Sequence, residues 1–381
     1  MHLSLMPVVL CATFLVALSS AEGQAQTVRP EAVATGLQNP WGLAFLPQGR
    51  FLVTERPGRL RVVEPDGRLG PPLPGLPAMD AGGQGGLLDV ITDAGFSANR
   101  RIYFCFSEPA ASGGGNSTAL ARATLAADNS RIEDVQVLFS QQPKFSSSAH
   151  FGCRIVEAHK DGKPDGTLFL TLGDRYSRMQ DAQKLDNHHG KVVRINKDGS
   201  VPKDNPFVGR AGALPEIWSY GHRNMQGATL APDGSYWTHE HGPQGGDEIN
   251  LPQPGRNYGW PVITYGENYG GGKMGEGITA KAGMEQPLHY WVPSIAPSGM
   301  VFLTSDKYGK AWQGNLFVGS LKFGYLNRIE LTTPFQGKVV REHKLLEGGG
   351  ERIRDVRQGP DGLLYVLTDS PRGRLLRLQP G

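Results

Sequence analysis

The chain has 381 residues, a formal net charge of +3 and 20% charged residues, with both signs interspersed along its length. No basic block interleaved with aromatic residues is present, so nucleic acid and acidic membrane surfaces are not expected partners. Glycine and proline are abundant, at 52 and 28 residues, and long helical periodicity is absent. This composition predicts many short strands joined by turns.

The first 25 residues are typical of an export signal. An apolar run from Val8 to Leu18 is followed by small residues, and cleavage is predicted after Ala21 or after Ala25. The run is too short to span a bilayer stably, and polar sequence follows it. The sequence therefore predicts a periplasmic or secreted protein without membrane insertion.

Two cysteines would remain after loss of this segment. Cys11 leaves with the signal, and Cys105 and Cys153 stay in an oxidising compartment. The sequence leaves open whether these two form a disulfide. Two cysteines alone are neither a disulfide framework nor a thiolate metal site.

One pattern recurs six times, in which a turn of the Pro-Asp-Gly type or a variant precedes a strand that ends in polar or acidic residues. The copies span residues 46–55, 96–104, 163–174, 231–240, 311–319 and 359–369. Antiparallel units that cannot bury both faces alone are typical of β-propeller blades, each a sheet of four strands packed on its neighbours. The sequence therefore predicts an all-β fold, a single six-bladed β-propeller formed by residues 30–381.

Several copies are followed by a second candidate strand. These strands span residues 59–63, 191–195, 325–331 and 374–378. The first strand after the signal, near Glu31 to Thr35, is predicted to complete the last blade and close the ring. The long insertions between copies are then loops on one rim, where binding and catalytic residues usually lie.

The stretch from Glu216 to Pro261 is the richest in side chains and turns that could bind a ligand or a metal. It contains a cation beside an amide, a turn that exposes carbonyls, two carboxylates and an aromatic turn: Arg223, Asn224, Gly242 to Gly246, Asp247, Glu248, and Tyr258 to Trp260. Carboxylates and free carbonyls suit a hard cation, and an arginine suits an oxyanion. The stretch predicts a metal-assisted site for an anionic small molecule. The alternative is that its glycines only make turns and its carboxylates are solvated.

A single histidine, His150, stands in a loop before a predicted strand that ends at Asp174. An imidazole at the rim, with an aspartate that fixes its tautomer, is a candidate general base. The alternative is a solvated surface histidine.

Four further side chains are candidates for binding an anion. Gln84 lies in a glycine-rich turn, Lys322 lies in a loop, and Arg352 and Arg354 alternate along one predicted strand. Because strand side chains alternate between faces, the two guanidinium groups point the same way. Two guanidinium groups and an ammonium group suit a ligand with several negative charges. The alternative is a solvated basic face.

Other kinds of site are less well supported. His239 and His241 resemble zinc ligands, but strand alternation separates them from Glu240, and no third ligand is evident. No Gly-x-Ser-x-Gly motif is present, so a serine hydrolase of that kind is not expected.

Eight motifs in order carry a resemblance to a known family: NPWGLA (39–44), QGGLLD (84–89), HFGCR (150–154), WSYGHRN (218–224), EHGPQGGDEIN (240–250), NYGWP (257–261), RIRDV (352–356) and PDGLLYVLTD (360–369). Together they resemble the soluble pyrroloquinoline quinone (PQQ)-dependent sugar dehydrogenases, most closely the bacterial aldose sugar dehydrogenase branch. The resemblance covers about residues 32–378, nearly all of the predicted mature chain.

The resemblance implies a six-bladed propeller that oxidises aldoses at C1 to lactones by hydride transfer to PQQ. His150 would be the base that removes the proton of the anomeric hydroxyl, and Asp174 would orient and stabilise its imidazole. Arg223 would stabilise the charge that develops on the quinone oxygen.

The resemblance also implies the residues that hold the cofactors. PQQ would be held by Gln84, Arg223, Asn224, Lys322, Arg352 and Arg354. One calcium would bind the carbonyls of Gly242 and Pro243, and a second, structural calcium would bind Glu248 and the main chain of Tyr258.

Two positions depart from the family pattern. Ala149 stands where the soluble glucose dehydrogenases carry an acid, and Cys153 stands where the closer branch commonly has a glycine. The prediction is an exported enzyme, a monomer or weak homodimer, that passes electrons from an aldose to an external acceptor. The alternatives to this prediction are a non-catalytic propeller that only binds a partner and a metal-dependent lactonase. A lactonase would need carboxylate and amide ligands that converge on the central axis, and no such set can be assembled from the sequence. The retained base and cations favour the enzyme.

Overall fold

The computed structural model describes residues 27–381, and the predicted export signal lies outside them. Within this range, 24 strands form six antiparallel sheets of four strands each, which confirms the predicted all-β six-bladed propeller. Helical structure is limited to α1 (Phe96–Asn99) and the 3-10 segments Pro47–Gly49 and Met179–Gln183. None of the helical segments in this range has the length or apolar character to cross a bilayer.

The blades follow chain order. Blade 1 consists of β2 (Pro40–Phe45), β3 (Phe51–Glu55), β4 (Arg59–Val63) and β5 (Leu69–Pro72). Blade 2 consists of β6 (Leu87–Thr92), β7 (Arg101–Pro109), β8 (Asn116–Leu125) and β9 (Ile132–Ser140). Blade 3 consists of β10 (Gly152–Lys160), β11 (Lys163–Leu172), β12 (Lys191–Asn196) and β13 (Ile217–Tyr220). Blade 4 consists of β14 (Met225–Leu230), β15 (Tyr236–Glu240), β16 (Asp247–Asn250) and β17 (His289–Trp291). Blade 5 consists of β18 (Pro297–Phe302), β19 (Leu316–Ser320), β20 (Leu326–Thr333) and β21 (Gln336–Leu345). Blade 6 consists of β22 (Ile353–Gln358), β23 (Leu364–Thr368), β24 (Gly373–Pro380) and β1 (Val28–Leu37).

Each of the six sequence repeats supplies the second strand of one blade, namely β3, β7, β11, β15, β19 and β23. These strands have neighbours on both edges and packed blades on both faces. Every residue of β3, β15, β19 and β23 is accordingly buried. Burial on both faces explains why the repeats appear as short continuous apolar runs rather than as alternating patterns.

The first strand of each blade lies innermost, where β2, β6, β10, β14, β18 and β22 contact one another around the central channel. The ring is closed by β1, which pairs antiparallel with β24 from Val28 opposite Pro380 to Leu37 opposite Gly373. The predicted closing strand is therefore confirmed.

A group of four charged side chains, three buried and one partly exposed, links the innermost strands below the rim, and we call it the channel network. Arg154 Nη1 lies 3.2 Å from Asp89 Oδ1 and 3.0 Å from Asp355 Oδ1. Arg357 contacts the same two carboxylates, at 2.8 Å and 3.0 Å. The backbone N–H of Leu43 also donates to Asp355, at 3.2 Å. The network thus joins strands of blades 1, 2, 3 and 6.

A disulfide joins Cys105 on β7 to Cys153 on β10, and both residues are fully buried. The bridge links blade 2 to blade 3. It answers the question that the sequence left open.

Candidate active site

Up-and-down connectivity brings distant loops together at one rim. The first strand of every blade begins, and the second strand ends, at the same end of the central channel. His150 precedes β10, Asp174 follows β11, and Arg223 precedes β14. The three residues therefore meet at this rim although they are far apart in sequence.

His150 and Asp174 form a buried pair. His150 Nδ1 lies 2.6 Å from Asp174 Oδ1, and the two side chains are 7% and 0% exposed. The indole N–H of Trp260 donates to Asp174 Oδ2 at 2.7 Å, and the backbone N–H of Tyr176 donates to Oδ1 at 2.9 Å. This arrangement fixes the proton on Nδ1 and leaves Nε2 as the basic nitrogen.

The pair depends on a close approach of two backbone segments. A Cβ at Gly173 would lie 2.1 Å from the carbonyl oxygen of His150 and 2.4 Å from its carbonyl carbon, so only glycine fits there. His150 itself has a left-handed backbone, with φ of 56°, and its N–H donates to Gln84 Oε1 at 2.8 Å. These contacts give the imidazole a single position.

Burial lowers the pKa of His150 below its ordinary value, and the neighbouring Asp174 carboxylate opposes that shift. Arg223 and Arg175 lower it further. The imidazole is therefore neutral at neutral pH, which is the state that accepts a proton.

Arg223 stands beside this pair. Its guanidinium carbon lies 5.2 Å from the Trp260 ring, and it donates to the carbonyl of His241 at 3.1 Å and to the Tyr269 hydroxyl at 3.4 Å. Its Nε is buried and has no hydrogen-bond partner among residues 27–381. Arg223 and His150 line a cleft of about 280 Å³, the base cleft, together with Tyr176, Trp260 and Tyr269.

A second cavity of about 270 Å³, the cationic cavity, lies beside the His150 segment, because Phe151, Gly152 and Asn224 line it together with Gln84, which accepts from the His150 N–H. Its lining also includes Arg352 and Arg354. The two arginines share one carboxylate oxygen, Asp369 Oδ2, at 3.2 Å and 3.1 Å. Arg354 lies on β22 and Arg352 immediately precedes that strand, and together with Asp369 they give this part of the wall a net positive charge.

Lys322 is placed differently from the other cation candidates. It is exposed on the loop between β19 and β20, and its ammonium nitrogen lies 5.1 Å from the Phe323 ring centre. It lines neither the base cleft nor the cationic cavity, although its neighbour Leu321 lines the latter.

The turn between β15 and β16 exposes backbone oxygens. The carbonyls of Gly242 and Pro243 accept no backbone hydrogen bond within residues 27–381. Asp247 shapes this turn: its carboxylate accepts from the N–H groups of Gly242, Ile295 and Ala296 at 2.9, 2.8 and 3.0 Å. Asp247 is thus neither solvated nor free to bind a cation.

Glu248 lies next to a second carboxylate, Glu240, and Asn250 Nδ2 donates to both, at 3.2 Å and 3.1 Å. Burial, followed by the charge of Glu240, raises the pKa of Glu248 well above its ordinary value. Both acids and Tyr258 line a small space of about 10 Å³, which is near the minimum that holds one water molecule. The arrangement favours a cation there.

The zinc interpretation finds no support in the described part of the chain, which holds no group of three or more His, Cys, Asp or Glu arranged to bind a metal. His239 is fully buried beside Gly227. His241 Nε2 lies 2.6 Å from the carbonyl of Pro297, and Glu240 pairs with His222 at 3.0 Å.

The family model described as glucose/sorbosone dehydrogenase matches residues 37–377. The chain belongs to the glucose/sorbosone dehydrogenase family. This confirms the family resemblance of the motifs.

Known proteins resemble this chain over nearly its whole length. Aldose sugar dehydrogenase YliI of Escherichia coli (strain K12) is 46% identical over 371 residues, covering 96% of this chain and 97% of that protein. The crystal structure of soluble aldose sugar dehydrogenase from E. coli in the apo-form has 44% identity and a TM-score of 0.87, covering 93% of this chain and 100% of that one. The PQQ-bound form of aldose sugar dehydrogenase from Streptomyces coelicolor has 27% identity and a TM-score of 0.75, covering 93% and 98%.

Three residues of the site were not assigned a role from the sequence. Trp260 holds Asp174, Asp369 holds both cavity arginines, and Trp41 lines the cationic cavity. A signal for Asp369 was present, because it ends the sixth repeat as Asp174 ends the third. The two tryptophans stand in motifs that matched the family, but nothing in the spacing gave them a partner.

Proposed function

We propose that this chain is a calcium-dependent PQQ aldose dehydrogenase that oxidises aldoses at C1 to lactones and passes the electrons to an external acceptor. The observation that carries the proposal is the His150–Asp174 pair, with Arg223 beside it, next to a cavity whose wall carries two guanidinium groups. The names of the aldose sugar dehydrogenase relatives support the substrate class.

The cationic cavity fits a flat ligand with several carboxylates. Arg352 and Arg354 share one carboxylate, Asp369, and Arg354 Nε is buried with no hydrogen-bond partner in the described part of the chain. Gln84 and Asn224 add polar contacts, and Lys322 is assigned to a further carboxylate from the adjoining loop. When bound, PQQ supplies the quinone that accepts the hydride.

Two positions fit calcium, which prefers oxygen ligands. The free carbonyls of Gly242 and Pro243 would hold one ion, and Pro243 also lines the base cleft. Glu248 and the main chain of Tyr258 would hold a second ion, which would relieve the repulsion between Glu248 and Glu240. The first ion would supply positive charge to the site when bound, and the second would stabilise the loop.

The residues of the base cleft have separate roles in the proposed reaction. Nε2 of His150 accepts the proton of the anomeric hydroxyl, while Asp174 stabilises the imidazolium through Nδ1. Trp260 holds Asp174 in place, and Arg223 stabilises the negative charge that develops as the sugar is oxidised. Tyr176 and Tyr269, 53% and 61% exposed, present aromatic faces on which the apolar face of a sugar can pack.

Reconstitution tests the proposed function directly. The exported protein, purified without cofactor, is expected to gain dye-linked aldose oxidation when PQQ and calcium are added together, and to lose it with a calcium chelator. PQQ alone, and magnesium in place of calcium, are the matched controls, because magnesium demands a tighter octahedral geometry and dehydrates reluctantly. No gain in oxidation, with no quinone absorbance retained by the protein after mixing, would overturn the proposal.

The pH dependence of turnover follows from the pKa of His150. Since burial lowers that pKa, the imidazole stays neutral down to pH values below the ordinary value of 6.5. We expect kcat/KM to be flat through neutral pH and to fall only as the pH drops through the lowered pKa, where the base becomes protonated. A profile of kcat/KM against pH checks this, and a fall that begins above pH 6.5 contradicts it.

A further inference from the structure

The segment that carries His150 has an irregular backbone. Three of the four residues from 150 to 153 have left-handed conformations: His150 with φ of 56°, Gly152 with 65° and Cys153 with 82°. The pairing of β10 with β11 also shifts register between Gly152 and Ile155. Regular strand pairing therefore does not fix the position of the base.

Hydrogen bonds from neighbouring blades, and one from β11 of the same blade, hold this segment instead. Thr118 donates to the carbonyl of Phe151 at 2.6 Å, Gly152 N–H donates to Asn224 at 3.1 Å, and Arg154 N–H donates to Thr171 at 2.9 Å. The disulfide adds a covalent link, from Cys153 to Cys105, which are 48 positions apart in sequence.

Cys153 is the unusual member of the segment. A left-handed backbone suits glycine, whereas for any other residue it is disfavoured by roughly five- to thirtyfold. The two neighbouring left-handed positions have other supports, since Gly152 is itself a glycine and His150 is fixed by Gln84 and Asp174. At Cys153, the left-handed backbone is held by the disulfide to Cys105 of blade 2.

We propose that the Cys105–Cys153 disulfide is a positioning element for the catalytic base: it holds Cys153 in the left-handed conformation and thereby keeps His150 aligned on Asp174. The role of the bridge in turnover rests on the proposed function of His150. Its role in the geometry of the pair does not, because that geometry exists in the protein without cofactor.

Single substitutions separate positioning from simple stabilisation. Cys105→Ala and Cys153→Ala break the bridge and leave a non-glycine residue at position 153, so kcat for aldose oxidation is expected to fall about tenfold. Cys153→Gly also breaks the bridge but accepts the left-handed backbone, so its kcat is expected to stay within about threefold of the unmodified enzyme. All three variants lose the cross-link and are expected to show lowered melting temperatures. A purely stabilising bridge would leave kcat equal in all three at temperatures where they are folded.

A second measurement uses the protein without cofactor. The hydrogen-bonded Nδ1 proton of His150 can be followed by NMR with ¹⁵N-labelled histidine and assigned by its loss in His150→Gln. We expect it to persist in the unmodified protein and in Cys153→Gly and to broaden or vanish in Cys105→Ala and Cys153→Ala. An unchanged resonance in all variants overturns the positioning role. A resonance that follows the expected pattern, in a protein that oxidises no aldose with PQQ and calcium, overturns the proposed function alone.

Discussion

Replacing His150 by alanine is expected to lower kcat for aldose oxidation by about 100- to 10,000-fold, the usual contribution of a positioned general base. The substitution removes the Nε2 that accepts the proton. It leaves the residues around the cationic cavity in place, and the backbone N–H of residue 150 can still donate to Gln84. PQQ is therefore expected to bind with nearly unchanged affinity, which titration of quinone absorbance would measure.

A matched control is His159→Ala. His159 lies near the far end of β10, the strand that follows His150, is exposed, and lines neither the base cleft nor the cationic cavity. Its variant is expected to turn over normally. Near-normal turnover in His150→Ala would show that the base is assigned to the wrong residue, and loss of PQQ binding would show that His150 is mainly a cofactor contact.

Replacing Arg154 by leucine is expected to lower the free energy of unfolding by about 3–5 kcal/mol, because it removes one partner from a buried charge group. Arg154 contacts both Asp89 and Asp355, and its side chain is only 2% exposed. After this loss, the two buried carboxylates would share a single guanidinium group, that of Arg357. It would also remove the stacking of Arg154 over Trp41, 4.1 Å from the ring centre.

Chemical denaturation of the two proteins under identical conditions measures this difference. Arg131→Leu is the control, since its ion pair with Glu133 is formed by side chains that are 54% and 40% exposed. Pairs of that kind contribute at most about 1 kcal/mol. If both variants lost the same small amount, the channel network would not be important for holding the blades together.

The repeats predicted much of the architecture because one kind of strand dominates them. The second strand of a blade is covered on every side, so its composition is restricted and recurs from blade to blade. The acidic residue that ends four of the six copies was informative for the same reason. Four acids lie at the end of a second strand, or just after it, at the active rim: Glu55, Asp174, Glu240 and Asp369. Each of them contacts a basic side chain or a histidine.

The remaining details depend on contacts between distant segments, which spacing cannot show. Trp260 reaches Asp174 across 86 positions, and Arg357 reaches Asp89 across 268. Asp247 is of a residue type that commonly binds metals, yet its carboxylate lies beneath the turn and accepts hydrogen bonds from backbone N–H groups. The pairing of Cys105 with Cys153 likewise required the stacking of two blades, which the sequence predicts only in outline.

Closure of the last blade by β1 affects how the protein reaches its folded state. Glu31 and Arg377 pair across 346 positions, so the sixth sheet stays incomplete until nearly the whole polypeptide has been synthesised. Contacts between such remote segments slow folding, and an unpaired sheet edge is a template for aggregation. A nascent chain stopped short of β24 would expose such an edge, so C-terminal truncations should accumulate as insoluble material and not as smaller propellers.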